Sequence, residues 1–303
     1  MKPTALSLIS FVARICLGLG MTALASATDD SLPSPAPVPV FDHVGDEMGE
    51  PASFLFWMDN SLKLTPYGWG YAIDPSEQSN LTFEHAHESQ IGDLYLFVDV
   101  AYLHGMNGGD DEAVYGEFSP RLSLGKLLDK DLSFALFGKS LFEFKDAFLA
   151  GQYERGEDAD LAEAILLGVG FNLDVRKAGL LGPLAKFRFI QLNIYGRSEL
   201  TTSAPKGFKD MQVTLVAAYP ITLGKAHFLV DGFFDWVLGL GSEESSFHIN
   251  PLLSLDVGNF WAKPDKLRAG VGFDLWWNKY QIPDSAELDT NQSAVTFFVK
   301  WHF

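Results

Sequence analysis

The last nine residues of the chain, Val295 to Phe303, alternate between two kinds of side chain. One parity holds Val295, Phe297, Val299, Trp301 and Phe303, and the other holds Thr296, Phe298, Lys300 and His302. A period of two residues is that of a β-strand, in which successive side chains point to opposite faces. The C-terminus is therefore predicted to be a strand with one apolar face and one mixed face.

The same alternation recurs along the chain. In segment 94–102 the apolar side chains take the even positions and Asp99 an odd one, while in segment 266–278 the apolar side chains take the odd positions and lie opposite Arg268 and Asp274. In a lipid environment the charged parity must face inward, because lipid cannot hydrogen-bond a polar group. A soluble sandwich would instead bury the apolar face and wet the charged one, so both architectures remain open on alternation alone.

Composition narrows the classes further. The chain has 303 residues, with 22 Lys and Arg against 39 Asp and Glu, and a formal charge of −17 argues against a nucleic-acid partner. The single cysteine, Cys16, excludes a disulfide framework and a cysteine-ligated metal site. No apolar stretch of about 18 residues follows the N-terminus, so a helical membrane bundle is excluded.

The N-terminus has the pattern of an export signal. Lys2 and Arg14 precede the apolar run 15–24, and Ala25-Ser26-Ala27 is a small-residue cleavage pattern. We predict a signal peptide over 1–27, whose removal also removes Cys16, and a Pro-rich periplasmic leader over 28–52. With an export signal present, a last strand that ends in Phe303 resembles the C-terminal strand of bacterial outer-membrane barrels, and the alternative is an ordinary amphipathic strand.

Residues 53–303 are predicted to form an all-β, transmembrane antiparallel up-and-down β-barrel of twelve strands in the bacterial outer membrane. The predicted strands lie at 53–64, 80–88, 94–103, 114–127, 132–149, 161–175, 185–199, 209–222, 226–240, 246–258, 266–281 and 291–303. The even number of strands places both chain ends in the periplasm.

The connections sort by length and charge under this prediction. Segments 128–131 and 224–225 are predicted to be short periplasmic turns, and the acidic segments 108–112, 154–163 and 242–245 are predicted to be outer loops, as is 283–289. These acids are interpreted as a solubilising surface. Bridging of lipopolysaccharide by divalent cations is the alternative.

The inward parity supplies the candidate pore-lining and substrate-binding residues. They are Glu84, Phe97, Asp99, Glu117, Arg121, Lys139, Tyr195, Arg197, Asp231, Phe233, Asp235, His248 and Asn250. Aromatic rings can stack on a ring-bearing solute, while carboxylates and amides can hydrogen-bond its hydroxyl groups. Asp231, Phe233 and Asp235 form the favoured contact line. The structural alternative for each charged residue is cross-strand pairing that fills the lumen.

Two other kinds of site have weaker support. His85 and His87 could ligate a metal, but no third ligand stands at a recognisable spacing, so no metal is predicted. His248 with Asn250 resembles part of the Ser-His-Asn grouping of barrel lipases, but no serine is identifiable as the nucleophile. We therefore predict neither an enzyme nor a cofactor.

Several segments resemble the nucleoside-specific channel-forming outer-membrane proteins of the Tsx/OmpK family. They are Asn80 to Tyr102, Tyr115 to Phe134, Gly232-Phe-Phe-Asp-Trp236 and Ser246 to Asp256. The resemblance covers roughly 53–303 and implies a monomeric twelve-stranded barrel with a narrow lumen that passes nucleosides passively. The connecting loops are shorter, and the Pro-rich leader longer, than the family pattern.

Three functions are consistent with this reading. The first is a passive channel selective for nucleosides or similar small polar solutes, the second is a weakly selective porin, and the third is a surface receptor barrel of the phage or colicin type. The expected partners are outer-membrane lipid, lipopolysaccharide, the transported solute, and the barrel-assembly machinery, which would engage the strand that ends in Phe303.

Overall fold

The structure is a computed structural model, and it describes residues 54–106, 109–136, 142–157, 163–174, 187–200, 207–240 and 244–303. The predicted signal peptide and leader, and the candidate Lys139, lie outside the described residues. The strands are β1 (Leu55–Trp69), β2 (Glu77–Ser89), β3 (Gly92–Met106), β4 (Gly109–Ser123), β5 (Phe134–Leu136), β6 (Phe142–Gly156), β7 (Glu163–Asp174), β8 (Phe189–Glu199), β9 (Asp210–Leu223), β10 (Ala226–Leu238), β11 (Ser246–Asp256), β12 (Leu267–Trp277) and β13 (Gln292–His302).

Twelve of these strands close into one antiparallel barrel, which confirms the predicted fold class. Apart from β5, each strand pairs with the next one along the chain, so that β4 pairs with β6, and β13 returns to pair with β1. The three-residue β5 is not part of the ring, because it pairs only with the start of β6. Because β1 and β13 pair, their backbone N–H and C=O groups are hydrogen-bonded and the sheet has no free edge, as a lipid environment requires.

We call the end of the barrel where β1 begins and β13 ends the terminal rim, and the opposite end the distal rim. The helix α1 (Leu124–Leu128) and a 3-10 helix (Gly258–Trp261) lie at the terminal rim, and a second 3-10 helix (Lys279–Gln281) lies at the distal rim. Among the described residues, no helix has the length and apolarity needed to cross a membrane.

The fifth predicted strand, 132–149, is wrong as a single strand. Its first part is β5, which turns back and pairs with β6, so that Phe134 lies opposite Phe144 with the two rings stacked at 4.5 Å between centroids. The strand that crosses the barrel wall therefore runs to Gly156, and the connection after β4 is longer than the predicted turn at 128–131.

Two predicted outer loops are also corrected. Most of segment 108–112 belongs to β4, which pairs with β3 as far as Gly109, and Glu154 lies within β6 rather than at the start of a loop. Both loops are short because the β-ladders continue further than alternation alone indicated. Segment 283–289 lies, as predicted, in the distal connection between β12 and β13.

The outer face of the barrel carries exposed apolar side chains on one parity. Representative members are Leu64, Leu81, Phe118, Leu149, Phe273 and Phe297. The opposite parity faces the lumen, because its side chains meet across strands that are not neighbours. Lys300 of β13 pairs with Glu84 of β2, past β1, and Arg197 of β8 pairs with Glu154 of β6, past β7. Such contacts are possible only on the concave side of a closed sheet.

Candidate functional site

All predicted site residues that the structure describes lie on the lumen parity. On one wall Glu84 pairs with Phe97 and Phe97 with Glu117. On the other wall Asp235 pairs with His248 and Phe233 with Asn250. Directly paired residues share one face of a sheet, so each pair points the same way. The lumen side nevertheless divides into regions with different packing.

The β4–β8 side of the lumen is filled. Tyr195 is only 2% exposed and packs with Ala150, Ala164 and Leu166 in the one cluster of buried apolar residues within the described ranges. The Tyr195 ring is therefore part of a packed core and is not presented to a solute. This differs from the pore-lining role predicted for it, because parity gives the direction of a side chain and not the space around it.

Arg121 is also fixed inside this filled side. Its guanidinium forms a bidentate pair with Asp93 at 2.7 and 2.6 Å, donates to Asn172 at 2.9 Å, and lies 4.3 Å above the centre of the Phe148 ring. A side chain that is 4% exposed and held by these partners is buried away from a passing solute. The structural alternative considered for charged lumen residues therefore describes Arg121 well.

A second polar group runs along the lumen wall from β4 to β10, and we call it the acidic network. Its members are Glu117, Gln152, Glu154, Arg197, Glu199, Gln212, Thr214 and Asp235. Arg197 lies at its centre, 2.8 Å from Glu154 and 2.9 Å from Glu199. Arg197 also donates to Gln212 at 3.0 Å.

Two glutamine amides extend the acidic network to the carboxylates at its ends. Gln152 donates to Glu117 at 3.1 Å and to Glu154 at 2.9 Å, and Gln212 donates to Asp235 at 3.3 Å, which the Thr214 hydroxyl also contacts. Glu154 and Glu199 contact the Arg197 guanidinium directly, and Glu117 and Asp235 join it through glutamine amides, so carboxyl groups outnumber the cation in this network by four to one.

Sequence reasoning missed several members of the acidic network. Gln152, Gln212 and Thr214 are uncharged, and Glu154 was assigned to an outer loop. The alternation of segment 148–156, which places Gln152 and Glu154 on one parity opposite Tyr153 and Arg155, was the signal that could have found the first and last of these.

An aromatic row lies on the wall formed by β3 and β4. The Tyr95 and Phe97 ring centroids are 6.0 Å apart, and those of Phe97 and Tyr115 are 5.9 Å apart. Tyr95 keeps 42% of its surface exposed although it belongs to the lumen parity. Solvent therefore reaches this part of the lumen.

A second aromatic row lies on β10, β11 and β12. The His248 ring stacks on Trp276 at 3.7 Å between centroids, and Phe233 meets His248 edge-on at 4.8 Å. His248 Nε2 lies 2.8 Å from Asp274 Oδ1, so the ring is also held by a carboxylate. Of the favoured contact line, Phe233 belongs to this row and Asp235 to the acidic network.

A third group of charges lines the seam where β13 meets β1. Glu84 pairs with Lys300 and accepts from the Ser61 hydroxyl at 2.8 Å. Asp231 of β10, three strands from β13 around the ring, also lies on the lumen parity, where it is paired with Ala218 and Leu252. The Asp99 Oδ1 atom is buried without a hydrogen-bond partner in the described structure.

At the distal rim, Lys279 clamps two connections together. Lys279 donates to Asp74 at 2.7 Å, to Gln292 at 2.8 Å and to the Ala72 carbonyl at 3.0 Å, which fastens the β12–β13 connection to the β1–β2 connection. Burial raises the pKa of the nearby Tyr71 phenol, and the charge of Asp274 raises it further. Tyr71 is therefore an uncharged hydroxyl at neutral pH. The sequence analysis did not identify this clamp.

The histidine pair considered as a metal site faces outward. His85 Nε2 lies 2.8 Å from His87 Nδ1, and His85 Nδ1 lies 2.9 Å from Asn60 Oδ1, so the two rings bind each other and a strand neighbour. Within the described ranges, no group of three or more His, Cys, Asp or Glu side chains could hold a metal ion.

Comparison with known families gives a match over the whole barrel. The family described as "Nucleoside-specific channel-forming protein, Tsx" matches residues 52–303. Outer membrane protein OmpK of Vibrio parahaemolyticus is 26% identical over 220 residues, which cover 72% of this chain and 76% of that protein. OmpK of V. parahaemolyticus serotype O3:K6, strain RIMD 2210633, is 26% identical over 223 residues, covering 71% and 77%.

The chain also aligns with solved structures at low sequence identity. A KdgM porin aligns with a TM-score of 0.42 at 10% identity and covers 80% of this chain and 99% of its own. The outer membrane phospholipase OMPLA of Salmonella typhi, a dimer with bound calcium, aligns with a TM-score of 0.45 at 10% identity, covering 84% and 94%.

Proposed function

The chain belongs to the Tsx family of nucleoside-specific channel-forming proteins, and we propose on that basis that its lumen passes nucleosides by passive, selective diffusion. It is an outer-membrane β-barrel of the channel class. Selectivity for nucleosides over other small polar solutes is the part of the function that we propose. The side chains on the open side of the lumen support it.

The observation that carries the proposal is the placement of the two aromatic rows on opposite walls. Five strands separate β3 from β10 in either direction around the ring, so Tyr95 and Phe97 face the wall that holds Phe233 and Trp276. A flat base entering this space meets rings on both sides.

Selective diffusion requires contacts that are weak and repeated, because tight binding would stop the solute from leaving. Stacking of a base on an aromatic ring tolerates any base, since every base has a π face. The carboxylates of Asp99, Asp231 and Asp235 can accept hydrogen bonds from ribose hydroxyls. The combination favours a neutral solute with a ring and several hydroxyl groups, and the negative charge of the acidic network disfavours anions.

We expect Phe233→Ala to weaken block of the channel by nucleosides. Base–aromatic stacking is worth about 1–3 kcal/mol, so the adenosine concentration that halves the single-channel current should rise on the order of tenfold. The measurement is conductance in planar lipid bilayers with increasing adenosine. The matched control is Phe234→Ala, since Phe234 is the next residue of β10, belongs to the outward parity and pairs with Leu215 and Ile249.

Three outcomes would count against parts of the proposal. Equal block in Phe233→Ala and the parent channel would remove Phe233 from the contact line. A channel that conducts but is indifferent to adenosine would be a weakly selective porin. A barrel that inserts but does not conduct would have a receptor or structural role.

A further inference from the structure

The connection between β11 and β12, residues 257–266, is held rigidly at the terminal rim. The Asp256 carboxylate is 1% exposed and accepts the backbone N–H groups of Asn259 at 3.0 Å and Asp265 at 2.8 Å. Arg268, 3% exposed, binds Asp265 and donates to Ser254 at 3.3 Å. The buried Asp256 and Arg268 side chains thus both bind Asp265, and they fix the position of the connection.

This connection contacts the turn between β9 and β10. The Asn259 side-chain amide donates to the Lys225 carbonyl at 3.0 Å. Residues 257–266 and the turn at Gly224 and Lys225 therefore form one surface, which we call the basic rim surface.

The basic rim surface exposes large apolar side chains next to the lipid-facing wall. Phe260 is 53% exposed and Trp261 is 64% exposed, and both belong to the 3-10 helix Gly258–Trp261. Leu223, which ends β9 on the outward parity, is 65% exposed beside them. Leu223 belongs to the lipid-facing parity of β9, and the exposed Phe260 and Trp261 lie at the same rim, in the connection that the Asn259–Lys225 hydrogen bond joins to the turn after β9. Tryptophan and phenylalanine at such a border suit the boundary between headgroups and acyl chains.

Three lysines surround these rings in a chain that is otherwise strongly acidic. Lys225, Lys263 and Lys266 are all exposed. In the part of the chain that the structure describes, no carboxylate forms an ion pair with any of them, since Asp265 is taken by Arg268. The surface thus presents three uncompensated ammonium groups next to two interfacial aromatic rings.

We propose that the basic rim surface binds the phosphate headgroup of an anionic phospholipid in the leaflet at the terminal rim. The lysines bind the phosphodiester, while Phe260 and Trp261 lie among the upper acyl carbons. The occupant is a lipid rather than a free phosphate because the charges border a membrane-facing apolar surface. The predicted periplasmic position of the chain ends makes this the phospholipid-containing leaflet.

The test measures the fluorescence of Trp261 as lipids with brominated acyl chains are titrated into the detergent-solubilised protein. The Trp261 signal is the difference between the parent protein and W261F. We expect brominated phosphatidylglycerol to quench this signal at lower mole fractions than brominated phosphatidylcholine. Each lysine near an anionic lipid is worth about fivefold in affinity, so K225A/K263A/K266A should weaken phosphatidylglycerol binding on the order of 100-fold and remove the preference.

The matched control is K209A, because Lys209 is exposed beside Phe208, which is 56% exposed, at the distal rim. It should keep the preference of the parent protein, and heat-modifiable migration on gels establishes that each variant is folded. A phosphatidylglycerol preference that survives in the triple variant would overturn the proposal. So would a Trp261 signal that neither lipid quenches, or one that responds to lipopolysaccharide and not to phosphatidylglycerol.

Discussion

Gly232→Ala is expected to prevent assembly of the barrel. Gly232 lies in the middle of β10 with a φ of +145°, and a Cβ atom added there would stand 2.1 Å from the backbone oxygen of Asn250 on β11. Side-chain-bearing residues avoid this backbone region, which alone costs about 1–3 kcal/mol, and the contact is with backbone that cannot rotate away. We expect the heat-modifiable folded band to be lost on refolding into detergent micelles.

Two glycine variants separate the causes of that effect. Gly151→Ala on β6 should fold normally, since the added carbon would meet its nearest neighbour, Leu167, at 3.7 Å. Gly224→Ala in the β9–β10 turn meets nothing within 4 Å but has a φ of +61°, so it should cost only the backbone strain of about 1–2 kcal/mol. A Gly232→Ala barrel as stable as the Gly224→Ala barrel would show that β10 and β11 can move apart.

Alternation predicted the fold well because lipid imposes it on every strand. In β12 the odd-numbered residues from Leu267 to Trp277 point outward, whereas Arg268 and Asp274 point into the lumen, as the sequence predicts. The same rule places Asp231, Phe233 and Asp235 of β10 on the lumen side. These assignments need only the two-residue period of a strand and an apolar environment outside the barrel, and both can be inferred from the sequence.

For the predicted fifth strand, alternation cannot distinguish a hairpin from a single long strand. In β5 and β6, Phe134 pairs with Phe144 and Leu136 with Phe142, and Ala135 pairs with Glu143 between them, so each pair joins residues of the same parity. The large apolar residues therefore keep the even positions in both arms, and a hairpin and a single long strand have the same alternation. Only the pairing energy of the two arms decides between them, and that depends on contacts such as the stacked Phe134 and Phe144 rings.

The contacts inside the lumen depend on closure of the ring, which a linear pattern does not contain. Glu154 and Arg197 are 43 residues apart and meet because β7 lies between their strands. Tyr195 has the correct parity for a pore-lining residue, yet its ring is buried because the side chains of Ala150 and Leu166 pack against it. Direction can thus be predicted residue by residue, whereas accessibility is a property of the whole cross-section.

Arg197→Met is expected to destabilise the folded barrel by about 3–5 kcal/mol, because removal of one partner leaves buried charges uncompensated. Arg197 is the only cation of the acidic network, and its loss leaves Glu154 and Glu199 without their ion pair. Glu117 and Asp235 are linked to the same centre through Gln152 and Gln212, so their repulsion is no longer offset either. Urea unfolding of the barrel in lipid vesicles measures the change in the free energy of unfolding.

The matched control replaces an arginine on the outward parity of β6. Arg155 pairs with Glu163 at 2.9 Å, but its side chain is 42% exposed, so Arg155→Met should cost less than about 1 kcal/mol. The double variant Arg197→Met with Glu154→Gln should recover part of the lost free energy of unfolding, since it removes one of the unpaired carboxylates together with the arginine. If Arg197→Met were as mild as Arg155→Met, the carboxylates of the acidic network would have to be neutral or solvated in the folded barrel. The lumen wall from β4 to β10 would then carry less negative charge toward a passing solute than these contacts imply.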